Sequence, residues 1–245
     1  MSDAKLILLK HGRVIIPIIG LSVALSIVRM FSDALFSVQL HGVGTMLVFT
    51  GLTLYALDAI MRLVGLGDDR LMLLSPAPRW LLATHVVAQL AGLLTVAYVV
   101  ALLPLFRMTG VDWRIEAVKA LAYVVSVLAG LGLMLLVVYS LKGIGRRMLF
   151  LATCWVTYIV IVGLLTVLCV WPLQSVFNLR DWLLGVSGRT DTANVYAALL
   201  PLTVNGLSER SDVVLLFTAG NAALACLTWA ASALFGRRRQ NYLKL

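Results

Sequence analysis

The sequence predicts an all-α, polytopic membrane protein of six transmembrane helices, with both termini in the cytoplasm and a short outer re-entrant or interfacial helical region before the last span. Three observations predict it. Of the 245 residues, 61% are hydrophobic and only 13% are charged, where a soluble domain of this size carries roughly 25% charge. Mean hydropathy is +0.99. Several nearly charge-free runs reach the ~20 residues that a helix needs to cross a ~30 Å hydrocarbon core. Alternating apolar and polar residues, the signature of a membrane barrel, are missing.

Taken in order, the spans fall at Val14–Met30, Val43–Val64, Leu81–Leu105, Val118–Leu141, Leu149–Trp171 and Val213–Phe235. The first follows Lys5, Lys10 and Arg13, as the core of a signal peptide would. No small-x-small cleavage site follows it, so it reads as a span. Orientation comes from the basic residues, which accumulate on the cytoplasmic side. One side holds Lys5, Lys10, Arg13, Arg62, Arg70, Arg79, Lys142, Arg146, Arg147, Arg237, Arg238, Arg239 and Lys244, thirteen of the twenty basic residues, against Asp3, Asp58, Asp68 and Asp69. On the other side seven basic residues face seven acids, so the whole net charge of +9 lies on one face. That face, with both termini, is assigned to the cytoplasm. The excess is a topology signal, and no soluble domain is present to offer nucleic acid a basic surface.

Between the second and third spans lies the loop Gly65–Trp80, with the stretch GDDRLMLLSPAPRW. Asp68 suits a helix N-cap, and Asp69 beside it suits the positive end of the helix dipole. Leu71 to Leu74 then form a short apolar helix that Ser75-Pro76 ends, and the chain restarts near Pro78 into span three. An apolar helix face on the cytoplasmic side needs cover, from headgroups or from a protein. The second cytoplasmic loop, LKGIGRRM at Leu141–Met148, is short and basic, and topology determination alone accounts for it. On the outer side about forty residues from Pro172 to Asp212 include VYAALLPLTV at Val195–Val204. That run is too short to cross and reads as interfacial or re-entrant. The chain is one membrane domain over residues 1–245.

Tests for chemistry fail one by one. GVSG at Gly185–Gly188 has the spacing of an intramembrane serine protease box, but that chemistry needs a histidine base on a later helix and none follows His85. His11, His41 and His85 show no metal-ligand spacing, nor do Cys154, Cys169 and Cys226, which read as small apolar residues. No phosphate-cradling GxxxxGK[ST] loop occurs. The chain is therefore read as no enzyme, with no cofactor of its own. Asp58 and Arg62 stand four apart on one helix face near the inner end of span two, where each can neutralise the other. Local neutralisation accounts for this intramembrane ion pair; a gate or coupling element is the functional alternative. Acids are missing from spans three, four and five, which argues against a proton-coupled carrier. In span six, small residues surround Asn221, a pattern of close helix packing.

The layout of six spans, cytoplasmic termini, LMLLSPAPRWLLATHVV after span two and an apolar excursion before span six resembles the ABC-2-type permeases, the transmembrane subunits of bacterial ABC transporters. Leu73, Leu74, Pro76 and Arg79 occupy the places of that family's leucine–proline–arginine pattern. The resemblance implies that Asp68, Asp69, Arg70, Leu71, Leu73, Leu74, Pro76 and Arg79 form a coupling helix for a separate ABC ATPase, with Lys142, Arg146 and Arg147 as a smaller contact. It also implies an interfacial helix over Ser2–Arg13 and outer half-helices around Val195–Val204. ATP and Mg would bind to the ATPase partner, and a second copy or a related permease would complete the pathway. Location in the bacterial plasma (inner) membrane, contact with membrane lipid and export of an amphipathic lipid, peptide or antibiotic follow from the same resemblance. The pattern departs from the family at Gly67-Asp68-Asp69-Arg70-Leu71, where a G-T-L-E-like run is common, and at Thr84 and His85, where a lysine is often found. Other readings are the permease of a cytochrome-c maturation system, suggested by the similar loop, and a membrane-bound assembly or immunity protein that binds a partner without transport. Single cysteines placed at Gly143 and Ser187, with the native three replaced, test the orientation: impermeant maleimide applied from outside intact cells should label position 187 and spare 143, and the reverse would overturn it.

Overall fold

The computed structural model describes residues 3–32, 35–66, 79–107, 111–142, 144–177, 199–201 and 211–241. They form six long helices, with no strand among the described residues: α1 (Asp3–Phe31), α2 (Leu35–Ile60), α3 (Arg79–Ala101), α4 (Trp113–Leu141), α5 (Arg147–Phe177) and α6 (Ser211–Asn241). Six stretches are long and apolar enough to cross a membrane: His11–Phe31, Gln39–Leu66, Leu81–Arg107, Trp113–Leu141, Arg147–Leu168 and Val214–Phe235. The chain is a multi-pass helical membrane protein.

Helix boundaries follow local chemistry. Asp112 is the N-cap of α4, its carboxylate accepting a hydrogen bond from the Arg114 backbone N–H at 2.9 Å. Glu116, in the first turn, pairs with Lys119 at 2.6 Å. α3 ends where the N–H of Leu102 is shared between the carbonyls of Tyr98 and Val99, and the chain tightens into a 3-10 turn over Leu103–Arg107 that holds Pro104. α1 differs from the expected layout. Ser2–Arg13 was expected as a separate interfacial helix, but Asp3 to Phe31 is one continuous helix that even contains Pro17. Gly12 and Pro17 stand where its charged start meets its apolar body, yet the helix continues through both; a transmembrane helix tolerates one proline. α5 likewise runs past Pro172, and α6 runs on through the arginines at 237–239.

Contacts fix the helix directions. His11 meets Tyr55 while Ser26 meets His41, so α1 and α2 are antiparallel. Ser26 also meets Val100, and Arg107 donates to the Met30 carbonyl beside the Phe31 ring, which makes α3 parallel to α1. Phe49 packs on Tyr123 and Gly65 on Val138, so α2 and α4 run together. Val138 and Phe150 both border Gly65 while Gly130 meets Tyr158, so α5 runs against α4. The arginine-bearing end of the bundle, where α2 finishes and α3 and α5 begin, is called the basic end below.

α4 is the axis. Of its most apolar stretch 67% is buried, and of α2's 61%, against 17%, 22% and 28% for α1, α5 and α6. From Ser126 to Tyr139 only Leu128 and Leu136 are not fully buried. The other apolar helices leave a side for lipid, whereas α2, α3, α5 and α6 all pack on this one. Tyr98 of α3 stacks on Tyr123 at 4.3 Å between ring centroids, with Phe49 of α2 against both. α6 makes the most extensive contact and turns toward α4 a stripe of small and polar residues: Thr218, Asn221, Thr228 and Ser232 are buried, Leu227 and Leu234 exposed. The Trp229 indole N–H donates to the Leu128 carbonyl at 3.2 Å. A Cβ on Gly132 would lie 2.6 Å from Thr228 Oγ1 and 2.7 Å from Trp229 Cδ1. Helices that cannot use the hydrophobic effect against one another in lipid associate through such close packing. Gly132→Ala should therefore lower unfolding stability in detergent by about 1–3 kcal/mol through overpacking. Gly163→Ala, at a glycine of α5 with nothing within 4 Å of the added carbon, should leave it unchanged or slightly raised.

Candidate functional site

Two places in the bundle depart from plain helix packing. The first is at the basic end. α2 is buried on most sides through Leu57, Ile60 and Met61, and its backbone then widens into a π-helical turn over Met61–Leu66. Such turns occur rarely and often mark functional sites. Gly65 lies in this turn where three helices converge. A Cβ there would sit 2.4 Å from Phe150 Cζ and 3.3 Å from Val138 Cγ1. Glycine thus lets the end of α2 press against the last turns of α4 and the first turn of α5. Two residues after Gly65 the chain enters the GDDRLMLLSPAPRW stretch. Val138 and Phe150 flank the connection that carries Lys142, Arg146 and Arg147. The roots of both basic-end connections therefore form one packed junction.

Polar side chains line the same part of α2. Arg62 Nε donates to Asp58 Oδ2 at 2.6 Å, with the side chains 48% and 34% exposed respectively. An exposed i,i+4 pair contributes only ~0.3–0.5 kcal/mol in water; near a lipid boundary its larger effect is that neither charge stands alone. One helical turn earlier, Tyr55 bonds through its hydroxyl to Nδ1 of buried His11 at 2.9 Å, the rings edge to face. A polar line thus joins α1 to α2 next to the ion pair.

Of the residues assigned from sequence to ATPase coupling, Asp68, Asp69, Arg70, Leu71, Leu73, Leu74 and Pro76 lie outside the described residues. Arg79 is the first residue of α3. Lys142 caps the C-terminus of α4. Arg146 and Arg147 are exposed; the Arg146 carbonyl accepts the first backbone bond of α5, from Phe150 N–H at 2.9 Å. His41 meets Ser26 at the opposite end of α2, and His85 is exposed on α3. Among the described residues no group of three or more His, Cys, Asp or Glu could hold a metal ion.

The second place falls inside the Val195–Val204 run, of which only Leu199–Pro201 lies among the described residues. The turn Leu199–Pro201, within the stretch between α5 and α6, rests against the middle of α4 and α5. Tyr158 donates its hydroxyl to the Leu199 carbonyl at 2.7 Å, and Ser126 donates to the Pro201 carbonyl at 3.0 Å. Leu200 is 1% exposed. Beneath it is Gly130, whose added Cβ would stand 2.9 Å from Leu200 Cδ2, 3.0 Å from the Tyr158 hydroxyl and 3.3 Å from Pro201 Cδ. Non-helical backbone at the level of apolar helices persists only where its polar groups find partners inside the protein. The sequence marked the run through VYAALLPLTV but not its partners: a lone serine and a lone tyrosine in apolar runs resemble ordinary packing residues.

No family model, curated protein or solved structure matches this chain.

The turn's seat is open to direct measurement. Removing one hydroxyl leaves a buried carbonyl without that donor, at ~1–3 kcal/mol. Tyr158→Phe and Ser126→Ala should each lower unfolding stability by about that amount. A neutral or stabilising effect from both would show that the carbonyls do not rely on these donors.

Proposed function

We propose that this chain is the membrane-spanning permease subunit of an ATP-driven exporter of the ABC-2 type, moving an amphipathic or hydrophobic substrate with energy from a separate ATPase. The observation that carries the reading is the junction at the basic end. An ATPase acts on a membrane bundle only through an element that converts its closure into helix movement. The GDDRLMLLSPAPRW stretch leaves α2 two residues beyond Gly65, and Gly65 is wedged against Phe150 and Val138. A push on that stretch therefore reaches α2, α4 and α5 together. The π-helical turn offers the give: shifting its hydrogen bonds between π and α register rotates the end of the helix without unravelling it.

In this reading Asp68 to Arg79 is the coupling helix, seated in a groove of the ATPase, and Lys142, Arg146 and Arg147 add a second basic contact. Both termini and both of these loops are cytoplasmic in the bacterial inner membrane, and the outer region around Val195–Val204 is the re-entrant part. The Leu199–Pro201 turn, bonded at mid-helix level, supports that last assignment. Two permease copies, or this chain with a related one, enclose the pathway and use two ATPase subunits. The broadly exposed apolar sides of α1, α5 and α6 serve lipid and the second copy. ATP and Mg are bound by the ATPase, whose nucleotide-driven closure favours one access state by contacting it better.

Affinity capture of the chain from its native membrane, probed for a co-purifying ABC ATPase, is the test. Capture of the wild-type chain should retain the ATPase, and Leu73→Asp combined with Arg79→Glu should abolish the association while leaving membrane insertion intact. Equal retention by the double variant would overturn the docking surface, and failure of the wild type to retain any ATPase would overturn the function.

A further inference from the structure

We infer that the seat of the Leu199–Pro201 turn is a cargo-binding site for an apolar peptide segment, which the turn occupies as an internal stand-in. The inference rests on the export reading and names its substrate class.

The seat is built by the bundle and not by the turn. Its two donors stand on different helices, Ser126 on α4 and Tyr158 on α5, and its floor is the bare backbone at Gly130. What they receive is generic: two peptide carbonyls two residues apart, with one apolar side chain between them, buried to 1% exposure. Neither of these two hydrogen bonds requires the carbonyl to belong to the same chain. Any peptide that presents two carbonyls at that spacing around an apolar residue satisfies the same donors.

Charge sets the class further. α4 carries no ionisable acid or base of the Asp, Glu, Lys or Arg type from Ala120 to Leu141, and α5 carries none from Met148 to Phe177. A charged ligand group would lose its hydration there without a counter-ion. Hydroxyls are neutral donors, suited to amide carbonyls. A hydrocarbon chain fills the Leu200 position but leaves both donors unmet, so a simple acyl chain is a poorer occupant than a peptide. Because the turn already fills the seat, apparent affinity for a peptide is lowered by the fraction of time the seat is open.

The experiment uses the full chain in nanodiscs and the neutral probe N-acetyl-Leu-Leu-Pro-amide with a photoactivatable diazirine leucine at its centre. Labelling should map to α4 and α5 around Gly130 and Tyr158. It should be competed by the unlabelled tripeptide but not by an uncharged analogue in which an (E)-alkene replaces the Leu–Leu amide and a methyl group replaces the terminal carboxamide. Leu200→Ala, which weakens the stand-in and leaves the seat intact, should raise labelling about tenfold or more. Gly130→Leu on that background, filling the floor, should abolish it. Thermal unfolding of each variant controls for misfolding; should Leu200→Ala not fold, Leu200→Val should give a smaller rise in the same direction. Labelling that is equal in wild type and the folded Leu200 variant, or that maps to the exposed faces of α1 or α6, would overturn the inference. The two readings fail separately: loss of ATPase association refutes the exporter and leaves the seat standing, while ATPase association without site-specific labelling refutes only the seat.

Discussion

Thr228 and Trp229 lie closer to the backbone of α4 at Gly132 than any side chain there would permit. The same holds two residues earlier, where Leu200 and Tyr158 crowd Gly130. These two contacts lie within the buried middle of α4, on which α2, α3, α5 and α6 pack. In lipid no water is expelled when apolar helices meet, so dispersion contacts and a few hydrogen bonds must hold the bundle. Those scale with how closely backbones approach. Glycine on the central helix therefore has more effect here than an additional large apolar residue would.

From this axis the two unusual features gain their connection. Val138, two turns along α4 from Gly132, receives Gly65 and the π-helical end of α2 at the basic end. Gly130 and Ser126, within two turns the other way, receive the Leu199–Pro201 turn. One stiff helix thus runs from the junction of the connections to the seat of the turn. α5 repeats the link, with Phe150 at the junction and Tyr158 two turns on at the seat. A displacement at the basic end has two parallel routes to the centre of the bundle, each a single helix long.

The spans were readable in the sequence because hydrocarbon thickness imposes its length directly on composition. Their edges were less so: α1 reaches back to Asp3 because nothing in its charged start breaks a helix, and α5 continues past Pro172. The Asp58–Arg62 spacing pointed to a pair because i and i+4 are neighbours on any helix, whatever surrounds them. By contrast, Gly65, Gly130 and Gly132 matter through residues from 28 to about 97 positions away, and one chain carries no mark of which glycine faces a neighbour and which, like Gly163, faces open space. The π turn has no composition of its own. Ser126 and Tyr158 gain meaning only from the carbonyls they reach.

We propose above all that this bundle is moved from outside, through its basic end, by a separate motor. Reconstitution into sealed vesicles tests it most directly, by following a set of fluorescent amphipathic peptides and lipids across the membrane with and without a co-purified ABC ATPase and ATP-Mg. The account predicts accumulation only when chain, ATPase and ATP are all present. Concentrative transport by the chain alone, with no ATPase in the vesicles, would contradict it.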